Sequence, residues 1–264
     1  MDSRPIGVFD SGLGGLGVVR ELKKLLPNEK IIYFGDTGRV PYGTRSPDTI
    51  KKYARQDVRF LLSHGVKTVI AACGTVSSVA LDDIKDEFTL PLFGVVNDAA
   101  DCSLHATKNG KIAVIGTEAT ISSGVFEKKL KIGGADSIGV ACPLFVSLVE
   151  CGFIDENDPC TMAACKKYLA PIKSFGADTL ILGCTHFPII SKTISKVLPG
   201  VVTIDPSKEA ARSLAATLSA GGMLSSASGS VEYYVSDEPR RFKDLAQIFL
   251  GEEVTAEKIE IEKY

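Results

Sequence analysis

Two short segments concentrate the reactive side chains of this 264-residue chain: Cys73-Gly74-Thr75 and Cys184-Thr185-His186. Each sets a thiol beside a hydroxyl directly after a short apolar run. A thiolate is a good base or nucleophile, but a free thiol with a pKa of about 8.5 is only a few per cent ionised at neutral pH. It needs a neighbouring base or a positive dipole to be useful. Asp10, at the end of the first apolar run, and His186 are the proton acceptors of this kind. Two thiols facing each other across one site would suit acid–base work on opposite faces of a single carbon. One alone would suit a covalent nucleophile.

The other reactive residues read more plainly. Seven cysteines, an odd count with no C-x-x-C pair and no export signal, argue against a disulfide framework. A metal site is also a poor reading, since only Cys184 has a histidine nearby and no second cluster completes a tetrahedral set. Cys102, Cys142, Cys151, Cys160 and Cys165 read as small apolar residues. Gly12-Leu-Gly14-Gly-Leu-Gly17 is literally G-x-G-x-x-G, and Asp36 follows about 20 residues on, as in a dinucleotide fingerprint. Asp10-Ser11 immediately before the first glycine opposes that reading, because a carboxylate there would repel a pyrophosphate. An amine-bearing ligand suits Asp10 better, and the glycines then serve a close strand–helix turn. Arg39-Val-Pro41-Tyr42-Gly43 reads only as a turn.

The elements that must position these residues alternate along the chain. Strands are expected at Ile6–Phe9, Ile31–Phe34, Thr68–Ala72, Leu92–Val96, Lys111–Ile115, Ser137–Val140, Thr179–Leu182 and Val201–Ile204. The clearest helix follows Ser46-Pro47, an N-cap and a first-turn proline. Ile50, Tyr53, Ala54, Val58, Leu61 and Leu62 share one face before Gly65 stops it. Nearly continuous apolar strands alternating with helices imply parallel sheets covered on both faces. Gly65–Cys73 also aligns without a gap with Gly176–Cys184, at an offset of 111, and a similar shift brings Ile6–Asp10 near Ile112–Gly116. Chance likeness of buried strands competes with the reading that two related α/β halves each place one cysteine at the carboxyl edge of a sheet. That edge is where open α/β sheets bind ligands. Towards the end, 220–230 reads as a loop, Val231–Val235 as a strand, Glu238–Leu250 as a helix and Lys258–Ile261 as a short strand.

Composition narrows the classes further. With 30 Lys+Arg against 32 Asp+Glu, the chain lacks the basic excess of a nucleic-acid binder. Its 45% hydrophobic content suffices for a real core, yet nothing approaches the ~18 uninterrupted apolar residues of a membrane helix. The start, Met-Asp-Ser-Arg-Pro, has no signal-peptide pattern, so a cytoplasmic protein is expected.

Several motifs together resemble one family. Gly7-Val-Phe-Asp10-Ser11-Gly-Leu-Gly-Gly15, Tyr33-Phe-Gly-Asp36-Thr37, Pro41-Tyr42-Gly43, Gly116-Thr117-Glu-Ala-Thr120, Cys142-Pro-Leu-Phe-Val146 with Val149-Glu150, and Gly183-Cys184-Thr185-His186-Phe187-Pro188 run in family order, and Phe242…Phe249-Leu250-Gly251 also fits. In these the chain is similar to the glutamate racemases of the aspartate/glutamate racemase family. The resemblance implies two similar open parallel-sheet α/β domains facing each other, with the active site in the cleft between them. By analogy the first domain would be 1–97 plus 207–264 and the second 98–206.

The resemblance further implies a racemase that needs no cofactor and no metal, acts on a small-molecule substrate, L- or D-glutamate, and supplies D-glutamate for peptidoglycan. A homodimer is compatible with it. Cys73 would take the α-proton of D-glutamate and Cys184 that of L-glutamate, each thiol reprotonating the opposite face. Asp10 and His186 would assist their respective cysteines, and Glu150 would hold His186. Substrate contacts would fall on Asp10, Ser11, Pro41, Tyr42, Gly43, Gly74, Thr75, Thr117, Thr120, Thr185 and His186. The chain departs from the family pattern at Gly74 (usually Asn), Ser147 (usually Pro) and Asn97-Asp98. Gly74 bears on affinity and amino-acid choice, the others on packing. Two alternatives stay open here: a racemase of aspartate or another amino acid, and a catalytically inactive amino-acid-binding homologue.

Overall fold

The computed structural model, which describes residues 1–264, has ten strands, most of them runs of β-branched, aliphatic and aromatic residues. In chain order these are β1 (Ile6–Asp10), β2 (Lys30–Gly35), β3 (Thr68–Ala71), β4 (Leu92–Gly94), β5 (Lys111–Gly116), β6 (Asp136–Ala141), β7 (Thr179–Leu182), β8 (Val202–Ile204), β9 (Ser230–Val235) and β10 (Glu257–Lys258). The helices between them are α1 (Leu16–Leu25), α2 (Pro47–Ser63), α3 (Gly74–Val79), α4 (Leu81–Ile84), α5 (Val96–Ala106), α6 (Glu118–Ser122), α7 (Val125–Ile132), α8 (Leu144–Glu150), α9 (Pro159–Phe175), α10 (Ser191–Val197), α11 (Pro206–Ala220) and α12 (Pro239–Leu250). The chain forms two compact units, Met1–Val95 with Ser207–Tyr264, and Val96–Pro206. No helix is long and apolar enough to cross a membrane.

The first unit is built on a six-stranded parallel sheet of order β10-β9-β2-β1-β3-β4. Its central strands are buried end to end, with Val8, Phe9, Ile32, Phe34, Val69 and Ile70 at or near zero exposure. That is the pattern of a parallel sheet covered on both faces. From β1 the chain goes to β2 on one side and then crosses to β3 on the other. The carboxyl ends of β1 and β3 therefore flank the point where strand order reverses, the crevice such sheets offer to ligands.

The second unit has a four-stranded parallel sheet of order β6-β5-β7-β8. Its core gathers Val96 and Ala99 from α5, Ile112 and Val114 from β5, Phe126 and Leu130 from α7, Ile181 from β7 and Ile204 from β8. The short repeat in the sequence is a repeat of topology and register. Ile6 pairs with Thr68 and Ile31 as Ile112 pairs with Thr179 and Ser137. One rung beyond β3, Ala72 N donates to Phe9 O at 2.8 Å; one rung beyond β7, Gly183 N donates to Ile115 O at 2.7 Å.

Local signals explain where helices begin and end. In α2, Ser46 Oγ accepts from Thr49 N at 3.4 Å and Pro47 occupies the first turn. Ile50, Ala54, Val58, Phe60 and Leu61 are buried on one side, and Gly65, at φ +67°, turns the chain out of the helix. The helix before β7 is built alike: Asp158 accepts from Thr161 N at 2.8 Å, and Gly176, at φ 77°, caps α9.

Two elements differ from the sequence expectation. β4 ends at Gly94, not Val96, because Val95 N turns to Ser77 Oγ at 3.2 Å and Val96 already opens α5. The final strand has only Glu257 and Lys258 in the ladder; Ile259 N still reaches Val235 O, after which Ile261–Lys263 winds into a short helical turn that buries Ile261.

Candidate functional site

In the first unit, Asp10 is the last residue of β1 and Cys73 lies two residues past β3, the adjacent strand. Both are almost wholly buried. The Cys73 thiol donates to Ser11 Oγ at 3.4 Å, and Asp10 Oδ2 accepts from Gly12 N at 2.9 Å. Cys73 is also the residue from which α3 starts, so Gly74 and Thr75 form that helix's first turn beside it.

The glycine run fits this corner tightly. A Cβ on Gly15 would stand 2.6 Å from Asp10 Cβ, and one on Gly35 would stand 2.3 Å from Gly12 O. Tyr33 Oη also donates to Gly12 O at 2.8 Å. The Gly12–Gly17 turn thus folds directly over the strand ends, which is the close-approach use of glycine. Asp36, the acidic residue a dinucleotide reading would need for a ribose, accepts instead from Arg39 Nε at 2.6 Å and from the Tyr42 hydroxyl.

Pro41, Tyr42 and Gly43 form the segment that leads towards α2, and the Val40–Pro41 peptide is cis. Tyr42 is buried, with its hydroxyl committed to Asp36 and, at 3.2 Å, to Asp57 Oδ2. What this segment presents outward is therefore the exposed Pro41 ring and part of Gly43.

In the second unit, Cys184 lies two residues past β7, the strand position that Cys73 holds past β3. His186 and Glu150 are brought to it from separate elements, the turn after β7 and the last residue of α8. Cys184 Sγ and His186 Nδ1 are 3.9 Å apart, and His186 Nε2 is 3.1 Å from Glu150 Oε1. A carboxylate only accepts, so His186 carries a hydrogen on Nε2, and in the neutral ring Nδ1 turns its lone pair towards the thiol. This is the geometry of a proton acceptor oriented by a second residue. Thr117 caps α6, accepting from Thr120 N at 3.2 Å, and the two threonine hydroxyls are 3.0 Å apart. Thr117 follows β5, the strand next to β7, so its hydroxyl and Thr185 stand at the same carboxyl edge as Cys184.

The remaining thiols have another character. Burial, reinforced by the thiols of Cys165 and Cys184, pushes Cys142 far above the ordinary range, and burial pushes Cys165 up to about 12. Both are held as neutral thiols at neutral pH. No group of three or more His, Cys, Asp or Glu side chains is arranged to hold a metal ion.

Each half of the expected residue set is thus gathered at one carboxyl edge: Asp10, Ser11, Gly74 and Thr75 with Cys73, and Thr117, Thr120, Thr185, His186 and Glu150 with Cys184. Arg39 and Asp57 escaped sequence reasoning. A signal for Asp57 existed: it lies seven residues after Ile50 and four before Leu61, a lone carboxylate on the apolar face of α2.

Comparison with known proteins gives a consistent picture. The family model for Asp/Glu/Hydantoin racemase matches residues 6–214. The chain is 44% identical to the glutamate racemase of Chlorobaculum parvum over 257 residues, covering 95% of this chain and 93% of that protein. It is 43% identical to the glutamate racemase of Aquifex aeolicus, covering 94% and 95% respectively. A crystal structure of glutamate racemase from Francisella tularensis in complex with D-glutamate superposes with a TM-score of 0.94 at 37% identity, covering 100% of both chains.

Proposed function

Because the chain belongs to the Asp/Glu/Hydantoin racemase family, we propose that it interconverts L- and D-glutamate by moving the α-proton between two cysteines. The observation that carries this reading is the placement of Cys73 and Cys184 at equivalent positions past β3 and β7, each with polar partners beside it. The relatives named for glutamate supply the substrate.

The chemistry sets what these residues must do. An amino acid's α-proton is very weakly acidic, so removing it builds negative charge on the α-carbon and carboxylate. Aimed donors stabilise that charge as it develops. Main-chain N–H groups at Gly74 and Thr75 and the hydroxyls of Thr117 and Thr185 are the candidates. Excluding water strengthens them further. One base cannot take a proton from one face and return it to the other without moving, whereas two opposed thiols can. Starting from D-glutamate, the Cys73 thiolate takes the α-proton and the Cys184 thiol gives its own to the opposite face. Starting from L-glutamate, the roles exchange. Asp10 assists Cys73, and His186, held by Glu150, assists Cys184. A thiol suits the work because its ordinary pKa lies near enough to neutrality for modest perturbation to poise it.

Supply of D-glutamate for peptidoglycan, residence in the cytoplasm and assembly as a homodimer belong to the same reading. Proton exchange tests its core. Protein, L- or D-glutamate and D₂O are mixed with nothing added, α-deuteration is followed by NMR and chirality by circular dichroism, and aspartate is run in parallel. Exchange with inversion of glutamate is expected. Inversion of aspartate alone would keep the mechanism and shift attention to Gly74. Absence of exchange from folded, reduced protein would overturn the proposal in favour of an amino-acid-binding protein.

A further inference from the structure

Behind the Pro41–Tyr42–Gly43 segment four side chains meet, three of them buried and Arg39 partly exposed: Asp36 just past β2, Arg39 and Tyr42 from the following loop, and Asp57 from α2. Asp36 and Asp57 are fully buried. Arg39 donates through Nε to Asp36 Oδ2 at 2.6 Å, through Nη1 to Gln56 Oε1 at 2.6 Å and through Nη2 to Asp57 Oδ1 at 3.1 Å. Its guanidinium also lies over the Tyr53 ring, 4.1 Å from the centroid. One cation thus faces two carboxyl groups, and a second buried anion without its own counter-charge is strongly unfavourable.

The Tyr42 hydroxyl touches both carboxyl groups. A phenol has one hydrogen to give. Arg39 stands closer to Asp36 Oδ2, at 2.6 Å, than to Asp57 Oδ1, at 3.1 Å, so Asp36 is the ionised carboxyl and takes that hydrogen. The 3.2 Å contact between Tyr42 Oη and Asp57 Oδ2 is then a hydrogen bond only when Asp57 is the donor. We infer that Asp57 is a protonated positioning residue: a relay running from Asp57 through Tyr42 to an ionised Asp36, neutralised by Arg39, fixes the 41–43 main chain for substrate.

The electrostatics point the same way. Burial first, then the negative charge of Asp36 and, more weakly, of Asp10 on β1, hold Asp57 well above the usual carboxylate range, against the lowering effects of Arg39 and Tyr42. Asp36 is raised less, because Arg39, Tyr42 and Ser236, the last from the segment after β9, offset its burial. Raising the pH eventually strips the Asp57 proton, adds a second buried negative charge and breaks the relay. Substrate affinity should therefore fall on the alkaline side.

The functional half of this inference rests on the glutamate-racemase reading; the protonation half does not. Wild-type protein labelled with carboxyl-¹³C aspartate should show one protonated carboxyl at pH 7, absent from Asp57→Asn. A spectrum in which every aspartate is ionised at pH 7 would overturn the inference, whether or not the protein racemises glutamate.

Kinetics then read the positioning. An amide mimics a neutral acid but not a carboxylate, so Asp36→Asn should raise KM for D-glutamate about tenfold, and Asp57→Asn less than about threefold. In both, kcat should change less than about threefold, as expected when ground-state and transition-state binding are lost together. The alkaline rise in KM should disappear in Asp57→Asn. If Asp36→Asn fails to fold, Tyr42→Phe keeps the main chain, removes the shared hydrogen and should raise KM by a similar factor. Equal KM values for the two amide variants, or an alkaline rise that survives in Asp57→Asn, would show that Asp57 does not act as the relay's proton donor.

Discussion

Four strands of each unit, β2-β1-β3-β4 and β6-β5-β7-β8, share order and register, yet the units surround their cysteines with different chemistry. Asp10, at the end of β1, has Gly116 as its counterpart at the end of β5. One rung past β2, Asp36 N bonds to Asp10 O; one rung past β6, Cys142 N bonds to Gly116 O. Where the first unit places two carboxylates, the second has no side chain and a buried neutral thiol. The second unit draws its polar partners instead from His186, two residues past Cys184, and from Glu150 at the end of α8. The residue two past Cys73 is Thr75. A repeated scaffold therefore fixes where a thiol stands, while the polar partners are drawn from the neighbouring strand end in one unit and from the following turn and α8 in the other.

Removing either thiol tests the equivalence of the two positions most severely. If Cys73 and Cys184 are opposed halves of one proton transfer, Cys73→Ala and Cys184→Ala should each lower racemisation in both directions by about 10⁴-fold or more, with the fold intact. Activity that survives in one variant would make the two positions unequal in function as well as in surroundings.

Removing the assistants should expose the asymmetry. His186→Asn and Asp10→Asn are each expected to lower kcat by about 10²-fold, the first more from L-glutamate, the second more from D-glutamate. Because enantiomers are equal in free energy, kcat/KM must fall equally in both directions, so the asymmetry has to be sought in kcat and matched by KM. If Glu150 works by holding His186, Glu150→Gln should cost about tenfold with the same directional bias. Equal effects on kcat in both directions for His186→Asn would remove its assignment to Cys184.

The same comparison explains what could be read from sequence. The strands that carry both cysteines were legible because each is a short β-branched run between a glycine stop and a thiol, Gly65 to Cys73 and Gly176 to Cys184. Their equivalence emerged as a gapless match because buried parallel strands tolerate little but aliphatic residues. The departures from symmetry were harder to see. Glu150 stands 36 residues before His186, and only the packing of α8 brings the two together. Tyr42 and Asp57 were obscured for another reason: a turn tyrosine and a helical aspartate are ordinarily solvent-facing, and only burial reveals them as partners. The Lys258–Ile261 alternation misled because an edge segment with two ladder rungs gains little from pairing, and Ile261 instead enters the core through a helical turn.

The opposite ends of the same two strands offer the mildest test. Just before β3, Lys67 Nζ reaches buried Glu29 Oε2 at 2.7 Å, with Asp2 O at 2.9 Å and Met223 O at 2.8 Å. Just before β7 the equivalent residue is Asp178, an anion that accepts from Thr107 Oγ1 at 2.6 Å, Lys108 N at 2.7 Å and Asn109 N at 2.9 Å. Opposite charges thus anchor the two strands far from the thiols. Lys67→Ala leaves Glu29 buried without its counter-charge and should cost about 3 kcal/mol in stability. Asp178→Asn should cost about 1.5 kcal/mol at neutral pH, since its partners remain largely solvated. Its acid dependence is distinctive. Burial opposes ionisation of Asp178, but the Thr107, Lys108 and Asn109 donors outweigh it and lower its pKa from 3.8 to about 2. A depressed carboxylate pKa contributes stability that is complete above the unfolded value and fades as pH falls through the folded one. Hydrogen exchange of the β5 and β7 amides should therefore separate wild type from Asp178→Asn at pH 5, and the gap should close between about pH 4 and pH 2. A gap that persists at pH 2 would mean that the side chain anchors β7 by shape, and that its charge contributes nothing.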